Sequence, residues 1–266
     1  MALAAVCQMT SGPVWADNLA AASDLVTRAA ARGATFIALP ENFDLMANAE
    51  AKRVFAETGS ASDRLLPLRD LAKRLRVTVL CGSIAEKAPA GKIHNTSVLL
   101  GPGGETLATY RKVHLFDADV GDGPPYRESD LVAPGVEAVV ADADIGRIGM
   151  SICYDLRFPE LYRRLSADGA EILCVPSAFT EPTGRDHWEV LLRARAIENF
   201  AYVVAPAQWG QHAGGRRTYG RSMIVDPWGI VMCCVPDGVG IGIAEINLAR
   251  LREIRSKLPA LKHRRF

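Results

Sequence analysis

Short apolar runs alternate with segments of helical period along almost the whole chain, and nothing else in the sequence restricts its fold so strongly. Residues 3–9, 35–40, 77–84, 95–100, 147–153, 171–176 and 202–207 are short, apolar and bounded by turn formers, the pattern of buried strands. Residues 16–32, 62–76, Pro159–Ala167, 187–200 and 248–258 repeat apolar side chains at helical spacing; Leu65, Leu68, Leu71, Ala72 and Leu75 share one face. Strands alternating with helices imply an α/β fold in which helices cover sheets. Hairpins interrupt the pattern. Pro102-Gly103-Gly104 turns 95–100 back into 105–112, and Asp226-Pro227-Trp228-Gly229 joins 222–225 to 230–235. The sheets are therefore expected to be mixed, not purely parallel and doubly wound. With 136–141 and Gly240–Ile246 as further strands, and no linker, composition shift or repeat, residues 1–266 read as a single domain. The long stretch without periodicity, 113–134, is of a length that is usually functional or disordered.

Composition excludes several function classes. Hydrophobic residues make up 49% and charged residues 23%, ordinary for a globular protein. A formal net charge of +1 supplies no concentrated basic face, so nucleic acid is not an expected partner. No apolar stretch approaches the roughly 20 residues that span a membrane. The N-terminal run reads as a first strand and not as a signal, because no Lys or Arg precedes its apolar part and the first basic residue is Arg28. Six cysteines, at 7, 81, 153, 174, 233 and 234, form no C-x-x-C pair and read as reduced thiols, with the cytoplasm as the default location. Five histidines show no zinc-type spacing, and neither GxGxxG nor a P-loop is present, so no metal or nucleotide cofactor is expected.

Three residues with complementary chemistry follow extended apolar runs. Cys153 lies where GRIGMSIC meets a helix-like stretch, Glu41 ends TFIALPE, and Lys112 ends ETLATYRK. A free thiol has a pKa near 8.5 and needs a base or cation beside it to act as a nucleophile. Glu41 can take the thiol proton and return it to a leaving amine, and Lys112 can stabilise thiolate and oxyanion charge. Backbone N–H groups of a helix starting after Cys153 would add an oxyanion site. Taken singly, each residue has a plainer reading: a buried small apolar thiol, a helix N-terminal acid or surface charge, and a solvated surface charge.

LPENF around Glu41, YRKVHLFD around Lys112 and CYDLRFPE around Cys153 resemble the nitrilase superfamily, also called carbon–nitrogen hydrolases. The three motifs stand in that family's order, and the resemblance runs over essentially the whole chain. It implies an α-β-β-α sandwich in which Cys153 is the nucleophile, Glu41 the general base and Lys112 the transition-state stabiliser. The family's second active-site glutamate matches Glu128 in YRESDLVAPG, which would orient Lys112 and balance the site's charge. The Tyr154 backbone N–H would share the oxyanion with Lys112.

Tyr154-Asp155-Leu156-Arg157-Phe158 after the nucleophile resembles the Nit amidase branch, which contains omega-amidase and the deaminated glutathione amidases. AEILCVPSAF, TGRDHWEVLLRARAIE, YVVAPAQWG, YGRSMIVDPWG and LPALKHRRF resemble the second subgroup more closely. The loop 210–218, with Gly214-Gly215-Arg216-Arg217, departs from it and leaves fine specificity open. The implied activity is hydrolysis of a small carboxylated amide through a thioester, either deaminated glutathione, 2-oxoglutaramate or another small amide or N-carbamoyl compound. Arginine suits such carboxylates because its planar guanidinium forms bidentate pairs. Arg157 and Arg185, the latter in an expected loop before His187, are the candidates, although Arg157 could instead tie down the turn after Cys153. Phe179 and Trp188 could wall the pocket or belong to the core, and His187 is a further candidate for substrate binding. The resemblance also implies a homodimer or higher homo-oligomer, for which the C-terminal strands and last helix would suit the interface. Rival readings are an inert scaffold or a redox-sensing thiol protein, neither of which needs Glu41 and Lys112.

Overall fold

The structure, a computed structural model, describes residues 2–265; Met1 and Phe266, which end the N-terminal run and the LPALKHRRF run, lie outside the described residues. The first half of the chain runs β1 (Ala2–Gln8), α1 (Trp15–Ala31), β2 (Phe36–Ala38), α2 (Ala49–Glu57), α3 (Ala61–Arg64), α4 (Leu66–Leu75), β3 (Thr78–Lys87), β4 (Ile93–Leu100) and β5 (Thr106–Arg111). A small hairpin, β6 (Asp117–Ala118) with β7 (Tyr126–Arg127), and the single turn α5 (Glu128–Leu131) follow. The second half runs β8 (Val139–Ala143), β9 (Gly146–Met150), α6 (Pro159–Ala167), β10 (Ile172–Cys174), α7 (Glu181–Asn199), β11 (Tyr202–Ala205), β12 (Trp209–Gln211), β13 (Arg217–Tyr219), β14 (Met223–Val225), β15 (Val231–Cys234), β16 (Gly240–Ile246) and α8 (Leu248–Lys257).

Two six-stranded sheets result, in the orders β16-β1-β2-β3-β4-β5 and β15-β14-β11-β10-β9-β8. Each has a parallel centre, β1-β2-β3 or β9-β10-β11, flanked by antiparallel strands. The same plan is thus built twice without a repeat detectable in the sequence. Alternation along β1 shows how the layers form: Ala4 and Val6 face the second sheet, where Ile148, Met150 and Ile172 meet them in one core. Ala5 and Cys7 face the other way, against Ala22, Leu25, Val26 and Ala29 of α1 and Leu68 and Leu71 of α4. Helices α6 and α7 cover the second sheet through Tyr162, Leu165, Trp188 and Leu192. The architecture is the expected four-layer α-β-β-α sandwich. Among the described residues no helix is long and apolar enough to cross a membrane.

Several boundaries differ from the periodicity for identifiable reasons. The stretch 113–134 is not structureless, since it holds the β6–β7 hairpin and α5. Helix α7 starts at Glu181, so the stretch before His187, expected to be a loop, is helical. Pro182 and Gly184 read as breakers, but Pro182 sits in the first turn, where no intrahelical N–H is required. Gly184 is needed there because a Cβ would stand 2.2 Å from the Tyr219 Cβ.

Candidate active site

The ends of β2, β5 and β9 deliver the three chemical groups to one place between the sheets. Glu41 stands three residues beyond β2, and Lys112 directly follows β5. Strand β9 stops at Met150, so Cys153 does not end a strand as the sequence suggests; it opens a 3-10 turn, Cys153–Arg157. The turn forms because the buried Asp155 carboxylate accepts the Ile152 N–H at 2.8 Å. Cys153 itself has φ of 50°, a left-handed conformation that costs a non-glycine residue about 1–3 kcal/mol. Its N–H donates to Pro176 O at 3.0 Å, which holds that conformation against the second sheet.

Close backbone approach sets the Glu41 loop. A Cβ on Gly82 of β3 would lie 1.9 Å from Pro40 O, so only glycine lets the loop cross there. Asn42 follows with φ of 54°, its N–H donating to Ser83 Oγ at 2.9 Å. From the other sheet, Gln208 Nε2 donates to Glu41 O at 3.0 Å.

At the centre, Lys112 Nζ donates to Glu41 Oε1 at 3.1 Å and to both oxygens of Glu128, at 3.0 and 2.8 Å. The Lys112 side chain is 2% exposed and that of Glu41 4%. Glu128, at the start of α5, also accepts the Phe116 N–H at 2.6 Å, so the long loop is fastened by the carboxylate it brings. Glu41 Oε2 accepts the Ala178 N–H at 2.9 Å, and the Cys153 thiol stands beside the same carboxylate. Asn95 of β4 was not singled out by sequence. Its Nδ2 donates to Glu41 Oε1 at 2.9 Å and Glu128 Oε1 at 3.3 Å, bridging the two acids. Ala178 was also missed, since a backbone donor leaves no side-chain signature.

These contacts decide the resting protonation state. Burial works to raise the Glu41 pKa, but the Lys112 charge, the Cys153 thiol and the Arg216 charge outweigh it and hold the carboxyl below its ordinary value. Burial and then the Glu41 charge push the Cys153 thiol well up, against the opposing pull of Lys112 and the Ala178 N–H. Burial would lower Lys112, but Glu128 and Glu41 raise it far above its usual range. The site therefore rests as thiol, carboxylate and ammonium, not as a preformed thiolate. A thiol in this setting can attack only as its proton passes to Glu41, which is general-base activation. The Tyr154 N–H, in the first turn after Cys153, has no intrahelical acceptor and is available to an oxyanion.

A cleft of about 990 Å³, its solvent-facing mouth included, opens over these groups. Tyr154, Arg157 and Phe179 line it. Phe116 packs against Tyr126 and Tyr154, with ring centroids at 4.9 and 5.1 Å, forming an aromatic wall. Three other expectations need correction. Trp188 is fully buried, with Nε1 donating to Arg221 O at 2.9 Å, and supports the cleft only from behind Phe179. Arg185 is not in a loop but on α7, 68% exposed and paired with Glu181, outside the lining. His187 also rides on α7 and reaches the cleft only indirectly, its Nδ1 3.3 Å from the Arg157 guanidinium. Lys52 and Arg216 line the cleft in their place. Among the described residues no group of His, Cys, Asp and Glu is arranged to hold a metal.

Residues 3–256 match the family profile described as carbon-nitrogen hydrolase. The chain is 47% identical over 268 residues to the deaminated glutathione amidase of Synechocystis sp. (strain PCC 6803 / GT-S), covering 99% of this chain and 98% of that relative. It is 43% identical over 269 residues to the deaminated glutathione amidase of Homo sapiens, covering 99% of this chain and 82% of that one. The crystal structure of Saccharomyces cerevisiae Nit3, a member of branch 10 of the nitrilase superfamily, matches with a TM-score of 0.89 at 31% identity, over 100% of this chain and 97% of that chain.

Proposed function

Because this chain belongs to the carbon–nitrogen hydrolase family, we propose that it hydrolyses a small carboxylated amide through a thioester on Cys153, with deaminated glutathione as the substrate and 2-oxoglutarate and cysteinylglycine as products. The observation that carries the chemistry is the buried row of groups in which the Cys153 thiol stands beside Glu41, Glu41 accepts from Lys112 and Lys112 donates to Glu128. In this reading Glu41 takes the thiol proton as sulfur attacks the amide carbon. Lys112 and the Tyr154 N–H stabilise the oxyanion. Collapse breaks the carbon–nitrogen bond, and Glu41 gives its proton to the departing amine, leaving the thioester. Glu41 then takes a proton from water, whose oxygen attacks the thioester, and the sulfur recovers that proton. Glu128 keeps Lys112 charged and aimed.

The substrate assignment is supported by the identity to deaminated glutathione amidases over nearly the whole chain and by the cations in the cleft. Omega-amidase action on 2-oxoglutaramate, which releases ammonia, is the second reading, because both substrates present the same 2-oxo acid. Steady-state comparison of the two tests it. The proposal expects a higher kcat/KM for deaminated glutathione; equal or absent activity on both would overturn the substrate and leave amide hydrolysis in place.

The same reading takes residues 1–266 as one domain of a cytoplasmic homo-oligomer. Val190 and Ile197 on α7, with Trp228 and Ile230 at the turn that Ile197 approaches, are exposed apolar residues that self-association would bury. Sedimentation at equilibrium tests this, with a monomer at micromolar concentration as the contrary result.

A further inference from the structure

Four cations line the cleft with no carboxylate of the described residues within 4.0 Å, Lys52, Arg127, Arg157 and Arg216, and two of them bond to the segments that hold Glu41. Lys52, half-buried on α2, donates from Nζ to Asn42 Oδ1 at 2.6 Å, next to Glu41 in sequence. Arg216, from the loop between β12 and β13, donates from Nη2 to Ala178 O at 2.7 Å, and its guanidinium sits 5.4 Å from the centroid of the Tyr126 ring. The Arg216 Nε is buried and has no hydrogen-bond partner among the described residues. No carboxylate of the described residues comes within 4.0 Å of either cation, whereas Arg185 and Arg217 are each paired with Glu181.

From this we propose that Lys52 and Arg216 form the subsite for the 2-oxo acid carboxylate of the substrate's acyl portion. The proposal rests on the amidase reading above and adds the residues that select its substrate class. Two like charges facing one cavity repel each other and favour an anion between them. Consistent with this, burial and then the Arg216 charge pull the Lys52 ammonium below its usual range, while Glu41, Asp44 and Glu128 oppose that pull. A bound carboxylate would offer the acceptor that Arg216 Nε lacks, and charge-assisted bonds of this kind are the strong ones. The acyl portion is the one these residues suit. It stays on Cys153 after the amine has gone, so its subsite is the enclosed one, and both cations contact the segments that position the base, Asn42 and Ala178. Arg157 belongs to a separate group, beside the rings of Tyr154 and Phe179 and the His187 imidazole.

The test is steady-state kinetics of Lys52→Met and Arg216→Gln with deaminated glutathione and 2-oxoglutaramate, which share the acyl portion. Each variant should raise KM for both substrates by about 10-fold to 100-fold, the worth of a charge-assisted hydrogen bond, with a smaller change in kcat. Alkylation of Cys153 by uncharged iodoacetamide should stay close to its wild-type rate in Lys52→Met and change far less than KM in Arg216→Gln, whose charge also acts on Glu41, which a misfolded or generally damaged site would not do. An unchanged KM in both variants, or a parallel loss of alkylation, would overturn the subsite. A KM effect confined to deaminated glutathione would overturn the acyl assignment, because only that substrate has a carboxylate on its leaving amine. Failure of the wild type to turn over either amide would instead overturn the substrate assignment above, and the subsite with it.

Discussion

Tyr110 Oη donates to Asp155 Oδ2 across 2.7 Å, and both residues are fully buried. Tyr110 lies two residues before Lys112 in the first sheet, and Asp155 two residues after Cys153 beyond the second. One bond therefore joins the sheets at the level of the candidate catalytic groups. Asp155 also accepts the His114 N–H at 3.0 Å, and His114 Nδ1 lies 2.7 Å from the same carboxylate. This single side chain thus fixes the turn that carries the thiol and the strand end that carries the ammonium.

Tyr110→Phe removes one bond to a charged acceptor and should cost about 1.5–3 kcal/mol of stability. Asp155→Ala strands several buried donors at once and should cost more, with loss of turnover as Cys153 leaves its left-handed conformation. Urea denaturation of the two variants checks the order; an Asp155→Ala protein as stable as the wild type would contradict the role given to this carboxylate.

The resting state of thiol and carboxylate predicts a broad pH plateau. Glu41 has its pKa held below the ordinary 4.5, so the base form exists above that lowered value and is lost only as the pH falls through it. The Cys153 thiol is raised well above its ordinary value, so the protonated nucleophile persists through neutral pH. The kcat/KM profile should therefore be flat across neutrality, with its acid limb below pH 4.5 and no rise as the pH approaches 8.5. An increase tracking thiolate formation near neutrality would count against this assignment.

Glu41→Gln separates the two effects of that carboxylate. Removing its charge takes away the second-largest influence raising the Cys153 pKa and leaves Lys112 beside the sulfur. The variant should alkylate faster than wild type at neutral pH while hydrolysing at least about 100-fold more slowly for want of a base. Parallel loss of both reactivities would show that Glu41 is not what holds the thiol protonated.

Gly82→Ala should lower both stability and kcat, because its Cβ would meet Pro40 O at 1.9 Å and push the Glu41 loop away. Thermal unfolding alongside turnover checks this. A fully active, fully stable variant would mean that the loop has slack that the backbone contacts do not suggest.

Legibility in the sequence followed periodicity and motif. The strands of both sheets and helices α1 and α6 stand out because burial on one side imposes a regular spacing. Glu41, Lys112, Glu128 and Cys153 stand out because four chemistry-bearing residues sit in recognisable runs, and the structure brings them into contact. Helix α2 escaped notice: its nine residues bury little beyond Ala56, so no apolar stripe announces it, and Lys52 went with it. The β12–β13 hairpin escaped because each strand is only three residues long and Arg216 lies in a glycine-rich run. Asn95 sits inside an otherwise apolar strand, where a polar residue acquires meaning only once Glu41 and Glu128 are seen on either side of it. Arg185 failed as a candidate because Pro182 and Gly184 disguised a helix, and the helix turns its side chain toward Glu181.

The central claim is that Cys153 is the nucleophile, and the most direct measurement is the rate of cysteinylglycine release from deaminated glutathione by Cys153→Ala beside the wild type. The account predicts a loss of at least about ten-thousand-fold, since the remaining groups have nothing to acylate. A Cys153→Ala protein that releases cysteinylglycine within tenfold of the wild-type rate would contradict it.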